Sequence, residues 1–357
     1  MKDQPWKLTA PQRRLRYAAT SLLGIVLSII ALWLAVRDVV FTTFWDTIRA
    51  SDISLLAIAL AVYLTNGAMR ALRWHTLLRP VANRPLRAAQ ALIVGLALNN
   101  ILPARLGELF RIEYTYRRTG ASRGYCTGSL LRERLFDLAS LGAILGLAIA
   151  LGALAVDGRD LDRMKSIIAG FLVLFLMVGA LAVAILIWSS PTDASTDPAP
   201  SADSQPTGMR KLLFRMREET AHAAAALRGV GVQQLLQLGG LTILVWGLEA
   251  LTLFLVVLSL DVTLTVTTIA LLVFVASLST LLPSAPGYIG TYQLAFVVAL
   301  SFDGISSSVA VAAATIQQVV NIGFVTGLGI LIFVIARLVA PHPKMPASDG
   351  AEEQESP

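Results

Sequence analysis

The sequence predicts an all-α polytopic membrane protein with about six full membrane-spanning helices. It also predicts two helical hairpins that are broken by proline and glycine and re-enter the membrane as an inverted repeat. Of the 357 residues, 55% are hydrophobic and only 15% are charged, whereas soluble domains average about 25% charged residues. Apolar runs recur at the length of about 20 residues that crosses a bilayer. Two further apolar segments are interrupted in a similar way.

Six uninterrupted apolar runs are long enough to be the full spans. The first follows a basic stretch at residues 1–16, and its length distinguishes it from the shorter apolar region of a cleaved signal peptide. The six runs are residues 17–36, 53–69, 135–156, 166–188, 238–260 and 305–338. The two interrupted segments are residues 88–116 and 264–301.

The basic residues indicate the orientation of the chain, because cytoplasmic loops of membrane proteins are enriched in Lys and Arg. We let both interrupted segments return to the side from which they enter. Most of the 29 Lys and Arg residues then lie in the cytoplasm, including those of residues 70–87, and both termini are cytoplasmic. The net charge of +6 therefore reflects membrane topology and predicts no nucleic-acid partner.

Polar segments flank or interrupt the predicted transmembrane domain, which covers residues 17–340. Residues 189–236 form a cytoplasmic insertion. It begins with a linker rich in Ser, Pro and Asp, which predicts disorder, and continues into a basic amphipathic helix. Such a helix can lie on the anionic leaflet, or it can be a solvated connecting helix, and both alternatives stay open. The polar tail at residues 341–357 is expected to be disordered.

The two interrupted segments resemble each other in sequence. Each ends an apolar helix at a Leu-Pro-small sequence, at Pro103 and Pro283, and continues through a glycine into a second apolar stretch. Proline breaks a helix, and irregular backbone at membrane depth is tolerated where it lines a cavity. Because the charge count gives the segments opposite orientations, they predict an inverted repeat with a binding site at the breaks. The alternative is that Pro and Gly only kink two ordinary hairpins.

Ionisable residues cluster beside the first break and at the start of the span that follows it. Such residues at membrane depth are costly unless they are paired or hydrated, and they usually mark function. On a helix, Glu108 can pair with Arg111, and Arg134 can pair with Asp137. Glu249 stands alone near the middle of its span, where it is either a proton carrier or a partner for an arginine.

Arginine side chains match phosphate because the planar guanidinium presents several donors. A helix that begins after a break also directs free N–H groups at an anion. The cluster therefore predicts a binding site for a phosphate-bearing lipid head group; the alternative is a set of ion pairs that only holds the helices together. The candidate site residues are Asn100, Arg105, Glu108, Arg111, Arg132, Glu133, Arg134, Asp137, Glu249, Pro283, Pro286, Gly287, Gly290 and Gln293.

Three of these motifs, in this order and spacing, resemble a known family. Residues 102–111, 133–137 and 283–291 are similar to the lysylphosphatidylglycerol synthase transmembrane region, a family of flippase-like (YbhN-type) integral membrane proteins. The resemblance covers residues 23–338 and implies a bacterial cell (inner) membrane protein whose relatives move lipids between leaflets. We expect no soluble aminoacyl-transferase domain of the kind that follows this region in well-known relatives. The family commonly carries an acidic residue at the position of Gln293.

Three functions stay open at this point. The first is a lipid transporter that binds a phospholipid or another anionic lipid. The second is a membrane enzyme that uses a lipid-linked donor, since some relatives are labelled glycosyltransferases; Asp160 and Asp162 are its weak metal-ligand candidates. The third is a non-transporting accessory protein of a lipid-modifying enzyme. No phosphate-binding loop, catalytic motif or metal-ligand spacing is recognisable, so the sequence predicts no catalytic residue, cofactor or metal.

Overall fold

A computed structural model describes residues 24–102, 106–152, 180, 209–228, 231–281 and 284–339. Within these residues the regular structure is entirely helical, which confirms the predicted all-α fold class. Several predicted segments lie outside the described residues. They are the basic N-terminus at 1–16, the first part of the span at 17–36, the span at 166–188 apart from residue 180, the linker at 189–208 and the tail at 341–357.

The helices are numbered here in chain order. The first six are α1 (Gly24–Val36), α2 (Phe41–Arg49), α3 (Ile53–Leu78), α4 (Pro85–Ile101), α5 (Leu106–Thr119) and α6 (Arg123–Gly152). The next six in the described residues are α7 (Met209–Arg228), α8 (Val232–Leu258), α9 (Val266–Leu281), α10 (Thr291–Leu300), α11 (Ser307–Gln318) and α12 (Phe324–Val339). A 3-10 turn, Pro286–Tyr288, precedes α10, and a π-helical turn, Val319–Gly323, joins α11 to α12.

Three of the described helical stretches are long and apolar enough to cross a membrane. They are α3, α8 and the continuous stretch Ser307–Ile335, which comprises α11 and most of α12. The bent pair of α1 and α2 adds a fourth if it counts as one span. These helices coincide with spans that the sequence predicts, whereas the total of six spans stays a prediction.

The chain turns sharply between α1 and α2, whose axes meet at 87°. No residue of α2 is buried, and Phe41 and Trp45 are among its exposed apolar side chains. The backbone N–H of Val40 donates to Oγ of Ser308 at 2.9 Å, which attaches this turn to α11. The sequence reasoning did not predict α2, because its short apolar pattern lies between two much longer runs.

Helices α3 and α8 pack side by side and run in opposite directions. At one end, the N–H of Asp52 donates to the carbonyl oxygen of Ser259 at 2.8 Å. At the other end, Nε2 of Gln234 donates to the carbonyl oxygen of Thr76 at 3.0 Å. These contacts define two ends of the helix bundle, which we call the Asp52 end and the Thr76 end.

Each of the two interrupted segments forms a hairpin. Helix α4 packs against α5, and Arg84 and Arg87 both donate to the carbonyl oxygen of Arg118, which brings the start of α4 to the end of α5. Helix α9 packs against α10, and the N–H of Thr265 donates to Oδ2 of Asp303 at 2.9 Å. The first hairpin follows α3 at the Thr76 end, and the second follows α8 at the Asp52 end.

The helix interruptions lie where proline and glycine predict them. Helix α4 ends at Ile101, and Leu102 has an extended backbone with ψ of 139°, as the residue before a proline prefers. Helix α5 then returns so close to α4 that a Cβ atom on Gly107 would overlap the carbonyl oxygen of Gly95 and the side chain of Asn99. The glycine that follows the first break therefore permits the tight hairpin.

The predicted amphipathic helix is present as α7, and it packs along the start of α6. Ala223, Ala224 and Ala226 are buried, and the carboxylate of Glu219 accepts the backbone N–H of Gly124. The second half of α7 is therefore covered by α6 on one side, unlike a fully solvated connecting helix. Contact of its first half with the leaflet stays a prediction.

An apolar core joins α6, α8, α9 and α10 around Phe274 and Phe296, which are fully buried. Lipid tails are as apolar as these side chains, so burial among helices gains little over exposure to lipid. Close packing and interhelical hydrogen bonds must therefore select the native arrangement. The polar contacts between the helices are therefore expected to determine much of how the helices are arranged.

Candidate functional site

Arg73 lies at the centre of a buried network of ion pairs. It extends from α3, and only 2% of its side chain is exposed. Its Nη1 donates to Oδ1 of Asp137 at 2.6 Å and its Nη2 to Oε1 of Glu133 at 3.1 Å. Residues four apart share one face of a helix, so one guanidinium reaches both carboxylates of α6. A further bond of 3.3 Å from Nη1 to Oγ1 of Thr242 attaches α8.

Glu133 also joins α5 to this network. Its Oε2 accepts from Nη2 of Arg111 at 2.6 Å, and the guanidinium of Arg111 lies 3.7 Å from the ring centroid of Trp74. A desolvated cation over an indole face is stabilised by the ring quadrupole. Both oxygens of Glu133 are thus occupied by arginines from different helices, which compensates the cost of burying the carboxylate.

Arg134 extends the network toward open space. Its Nη2 donates to Oε1 of Glu108 at 2.6 Å, and its Nη1 donates to Oδ2 of Asp137 at 3.2 Å. The bond to Asp137 is the predicted pair within one helix. Both members of the predicted Glu108–Arg111 pair have partners on α6. Arg134 is 27% exposed and Glu108 is 21% exposed, so these side chains reach the edge of the network.

Glu249, the acid that stands alone in its span, has an arginine as its partner. Its Oε2 accepts from Nη2 of Arg70 at 3.0 Å and from Nδ2 of Asn66 at 2.7 Å. Nε of Arg70 donates in turn to Oδ1 of Asn66 at 3.1 Å, and its guanidinium lies 5.8 Å from the ring of Trp246. The geometry therefore shows Glu249 in the role of an arginine partner, one of the two predicted alternatives.

Side-chain amides organise the second break. Oε1 of Gln293 accepts the backbone N–H of Gly290 at 2.7 Å, and its Nε2 donates to Oε1 of Gln318 at 2.5 Å. Nε2 of Gln318 then donates to the carbonyl oxygen of Gly287 at 3.0 Å. Gly287 and Gly290 have φ angles of 70° and 93°, a region that favours glycine. These bonds connect the irregular backbone to α10 and to the last turn of α11.

A cavity of about 480 Å³ lies between these groups. Both interrupted segments contribute to it, through Asn100 before the first break and Gly287 in the second. Its charged lining residues are Arg70, Glu108, Arg134, Asp137 and Glu249. Its aromatic lining residues are Tyr63, Trp246, Tyr288 and Tyr292. The cavity thus combines charged, amide and aromatic surfaces, as sites for polar small molecules commonly do.

Among the residues that the structure describes, the paired arginines and carboxylates around the cavity are equal in number. The paired arginines are Arg70, Arg73, Arg111 and Arg134, and the paired carboxylates are Glu108, Glu133, Asp137 and Glu249. Each of these arginines has at least one carboxylate partner. An external anion that binds one of them must therefore compete with a carboxylate of the protein.

The structure brings most of the predicted site residues to this region. Those that line the cavity are Asn100, Glu108, Arg134, Asp137, Glu249 and Gly287. Arg111 and Glu133 belong to the adjoining ion-pair network, and Pro286, Gly290 and Gln293 belong to the second break. Arg105 and Pro283 lie outside the described residues.

Arg132 is buried but is not among the residues that line the cavity. Only 5% of it is exposed, and its Nη2 has no hydrogen-bond partner among the residues that the structure describes. Its neighbours in sequence, Glu133 and Arg134, point to different partners, because successive residues on a helix face different directions. The structure therefore separates Arg132 from the predicted site.

Three residues of this region are missing from the predicted site: Asn66, which the sequence marks only as a neutral polar group within its span, and the two arginines Arg70 and Arg73. The charge count placed both arginines in a cytoplasmic segment after the span at 53–69, whereas α3 continues as a helix to Leu78. The spacing of the three residues offered a signal, since positions i, i+4 and i+7 share one face of a helix. That polar face of α3 is the one that meets α6 and α8.

The fold and the site define a helical membrane protein whose interrupted helices surround one charged cavity. The chain belongs to the lysylphosphatidylglycerol synthase TM region family, which it matches over residues 21–329. This confirms the resemblance that the motifs indicated. Together with its apolar helices, membership makes the chain a multi-pass membrane protein.

Two relatives show how far the similarity extends. The Glycosyltransferase AglD of Haloferax volcanii is 23% identical over 355 residues, which cover 92% of this chain and 56% of that protein. The UPF0104 membrane protein MJ1078 of Methanocaldococcus jannaschii is 23% identical over 249 residues, which cover 69% of this chain and 97% of that protein. The chain therefore spans little more than half the length of the first relative and nearly all of the second.

Proposed function

We propose that this protein is a flippase-like lipid transporter that binds a phosphate-bearing lipid head group in the cavity between the two interrupted helices. The observation that carries the proposal is the convergence of both interruptions and two arginines, Arg70 and Arg134, on one cavity. A guanidinium forms strong, directional hydrogen bonds with phosphate oxygens. A phospholipid or another anionic lipid is the partner that this chemistry fits.

The two arginines approach the cavity from different helices. Arg70 extends from α3 and Arg134 from α6, and each is more exposed than Arg73 and Arg111 in the network. The interrupted backbone beside them supplies polar groups where continuous helices would present only apolar side chains. The head group would occupy the cavity while its acyl chains remain in the lipid, so that the polar group crosses without contact with hydrocarbon.

The transport proposal includes a topology of about six spans and two re-entrant hairpins in an inverted repeat. It is supported by the antiparallel packing of α3 and α8 and by hairpins that follow them at opposite ends. Inverted repeats of this kind place a substrate site at the middle of the membrane. We further propose the cell (inner) membrane as its location, with both termini in the cytoplasm, on the distribution of basic residues.

Reconstitution into liposomes tests the proposal. The purified protein is incorporated with a trace of fluorescent phosphatidylglycerol, and the fraction accessible to a membrane-impermeant quencher is followed over time. We expect faster movement than in protein-free liposomes. Arg134→Gln should slow it at least about tenfold, because a charge-assisted hydrogen bond is worth about 1.5–3 kcal/mol and 1.4 kcal/mol is tenfold.

Arg117→Gln is the matched control. Arg117 lies on α5, is 72% exposed and pairs with Glu113 on the surface, so its loss should leave the rate unchanged. Equal rates for Arg134→Gln and the original protein would contradict a transport role for the cavity. Unchanged lipid distribution with the original protein, combined with co-purification of a lipid-modifying enzyme, would favour the accessory role.

A membrane enzyme with a lipid-linked donor is the second candidate, and the name of the Haloferax volcanii relative, a glycosyltransferase, is what favours it. The predicted metal-ligand candidates of this alternative, Asp160 and Asp162, lie outside the described residues. Mass spectrometry of lipids that co-purify with the protein separates the candidates. A phospholipid supports the transporter, whereas a polyprenyl lipid that carries a sugar supports the enzyme.

A further inference from the structure

We propose that binding of an anionic head group in the cavity is coupled to the uptake of one proton by Glu249. The inference rests on the proposed function, and it adds that lipid binding at this site is thermodynamically linked to protonation of a carboxylate. It starts from the charge balance within the described part of the chain, where four paired arginines of the region are already matched by four carboxylates. An added phosphate would leave one negative charge without compensation.

The pair of Arg70 and Glu249 is the one that an anion can open most readily. Arg73 and Arg134 each bond two carboxylates, and Arg111 is only 4% exposed. Arg70, in contrast, bonds a single carboxylate oxygen, Oε2 of Glu249. Arg70 is 26% exposed and Glu249 13% exposed, and both line the cavity. A phosphate that takes the guanidinium of Arg70 therefore removes the only cation bonded to Glu249 among the described residues.

The groups that face Glu249 offer no replacement cation within the part of the chain that the structure describes. Helix α3 contributes Asn66, which is neutral, and Tyr63, while Tyr288 and Tyr292 face the cavity from the second interrupted segment. Helices α9 and α11, which also pack against α8, carry no ionisable side chain.

On α6, Arg134 is held by Glu108 and by Asp137, so it is not available to Glu249. A carboxylate without a cation in a partly enclosed site is strongly disfavoured relative to its neutral acid. The proton is supplied by the buffered solution, reaches the cavity through water and binds to a carboxylate oxygen of Glu249. It is released when the head group leaves and Arg70 returns.

Calorimetry tests the linkage on the full chain in detergent. Dioctanoyl phosphatidylglycerol is the probe, because its phosphodiester neither gains nor loses a proton near neutral pH. Titrations at pH 7 in two buffers of different ionisation enthalpy give the number of protons taken up per bound lipid. We expect about one proton for the original protein at pH 7, with affinity for the probe that falls about tenfold per pH unit around that pH.

Glu249→Gln should bind the probe with no proton uptake and no such pH dependence, whereas Glu113→Gln, a substitution on the surface of α5, should retain both. Infrared difference spectra give a second measurement on the original protein. Addition of glycerophosphoglycerol, the head group without acyl chains, which has no ester carbonyl to overlap the signal, should produce the C=O band of a protonated carboxyl group. Because this measurement uses only the original protein, it does not depend on whether Glu249→Gln folds. Glycerophosphoglycerol should also compete with the lipid and cause the same proton uptake.

The outcomes separate the inference from the proposed function. Lipid binding without proton uptake by the original protein overturns the linkage and leaves the lipid site standing. Uptake that persists in Glu249→Gln overturns the assignment to this residue. Absence of lipid binding by the original protein overturns both proposals.

Discussion

Arg73 on α3 and Glu133 on α6 form an ion pair in which Nη2 and Oε1 are 3.1 Å apart and both side chains are almost completely buried. The other oxygen of Glu133 bonds Arg111 of α5, so three helices meet at one carboxylate. Because apolar burial does little to select one helix arrangement in lipid, this junction should contribute much of the specificity of the bundle.

Replacement of Arg73 by alanine should destabilise the protein strongly. The change leaves Asp137 without its shortest bond, at 2.6 Å, and Glu133 with one arginine in place of two. Removal of one partner from a buried ion pair typically costs about 3–5 kcal/mol. Thermal denaturation of the purified protein in detergent should show a much lower midpoint. Arg117→Ala removes an exposed ion pair, for which about 1 kcal/mol or less is expected; similar midpoints for the two variants would contradict the prediction.

Replacement of Gly290 by alanine should disrupt the second break. Gly290 has φ of 93°, and a Cβ atom there would overlap the carbonyl oxygen of Ser28 on α1. The backbone strain alone costs about 1–3 kcal/mol, and the overlap adds to it. Gly247→Ala is the control, because Gly247 lies within α8 with open space around it and alanine favours a helix. We expect a lower unfolding midpoint only for Gly290→Ala, and equal effects would argue against the close contact.

Replacement of Gln293 by glutamate, the residue class that the family commonly carries, should make the second break sensitive to pH. Oε1 of Gln293 accepts from Gly290, and Nε2 donates to Gln318. An ionised carboxylate keeps the first bond but loses the second, at about 1–3 kcal/mol for an unsatisfied buried group. A protonated carboxyl group can donate in its place. The variant should therefore unfold at a higher temperature at pH 5 than at pH 8, relative to the original protein at each pH.

The substitution Gln293→Asn offers the matched control for this experiment. It keeps a neutral amide but shortens the side chain, so it weakens the bonds to Gly290 and Gln318 without introducing an ionisable group. Its stability relative to the original protein should not depend on pH. A pH dependence shared by both variants would show that another group is responsible.

Local sequence signals located the helix breaks and the acidic residues of the candidate site. Proline and glycine are conspicuous in apolar segments, and they placed both interruptions correctly around Leu102 and Gly287. Acids in apolar surroundings are equally conspicuous, which brought Glu133, Asp137 and Glu249 into the predicted site. Each of these residues differs from its neighbours in a way that a single segment reveals.

Two arginine partners of those acids, Arg70 and Arg73, could not be found in the same way. The positive-inside rule accounts for any arginine that follows an apolar run, so Arg70 and Arg73 needed no further explanation. Their burial depends on carboxylates that lie 60 or more positions away in the chain. Only the packing of α3 against α6 and α8 brings these charges together, and a single sequence does not show that packing.

The two hairpins should open to opposite sides of the membrane. Arg117 and Ser301 lie at the open ends of the first and second hairpins, and both are exposed. The chain has one cysteine, Cys126, which is buried. In a Cys126→Ala background, Ser301→Cys should react with an impermeant maleimide added to the outside of spheroplasts. Arg117→Cys should react only in inverted vesicles, because the inverted repeat places it in the cytoplasm. Labelling of both positions from the same side would contradict the inverted repeat, whichever side that is.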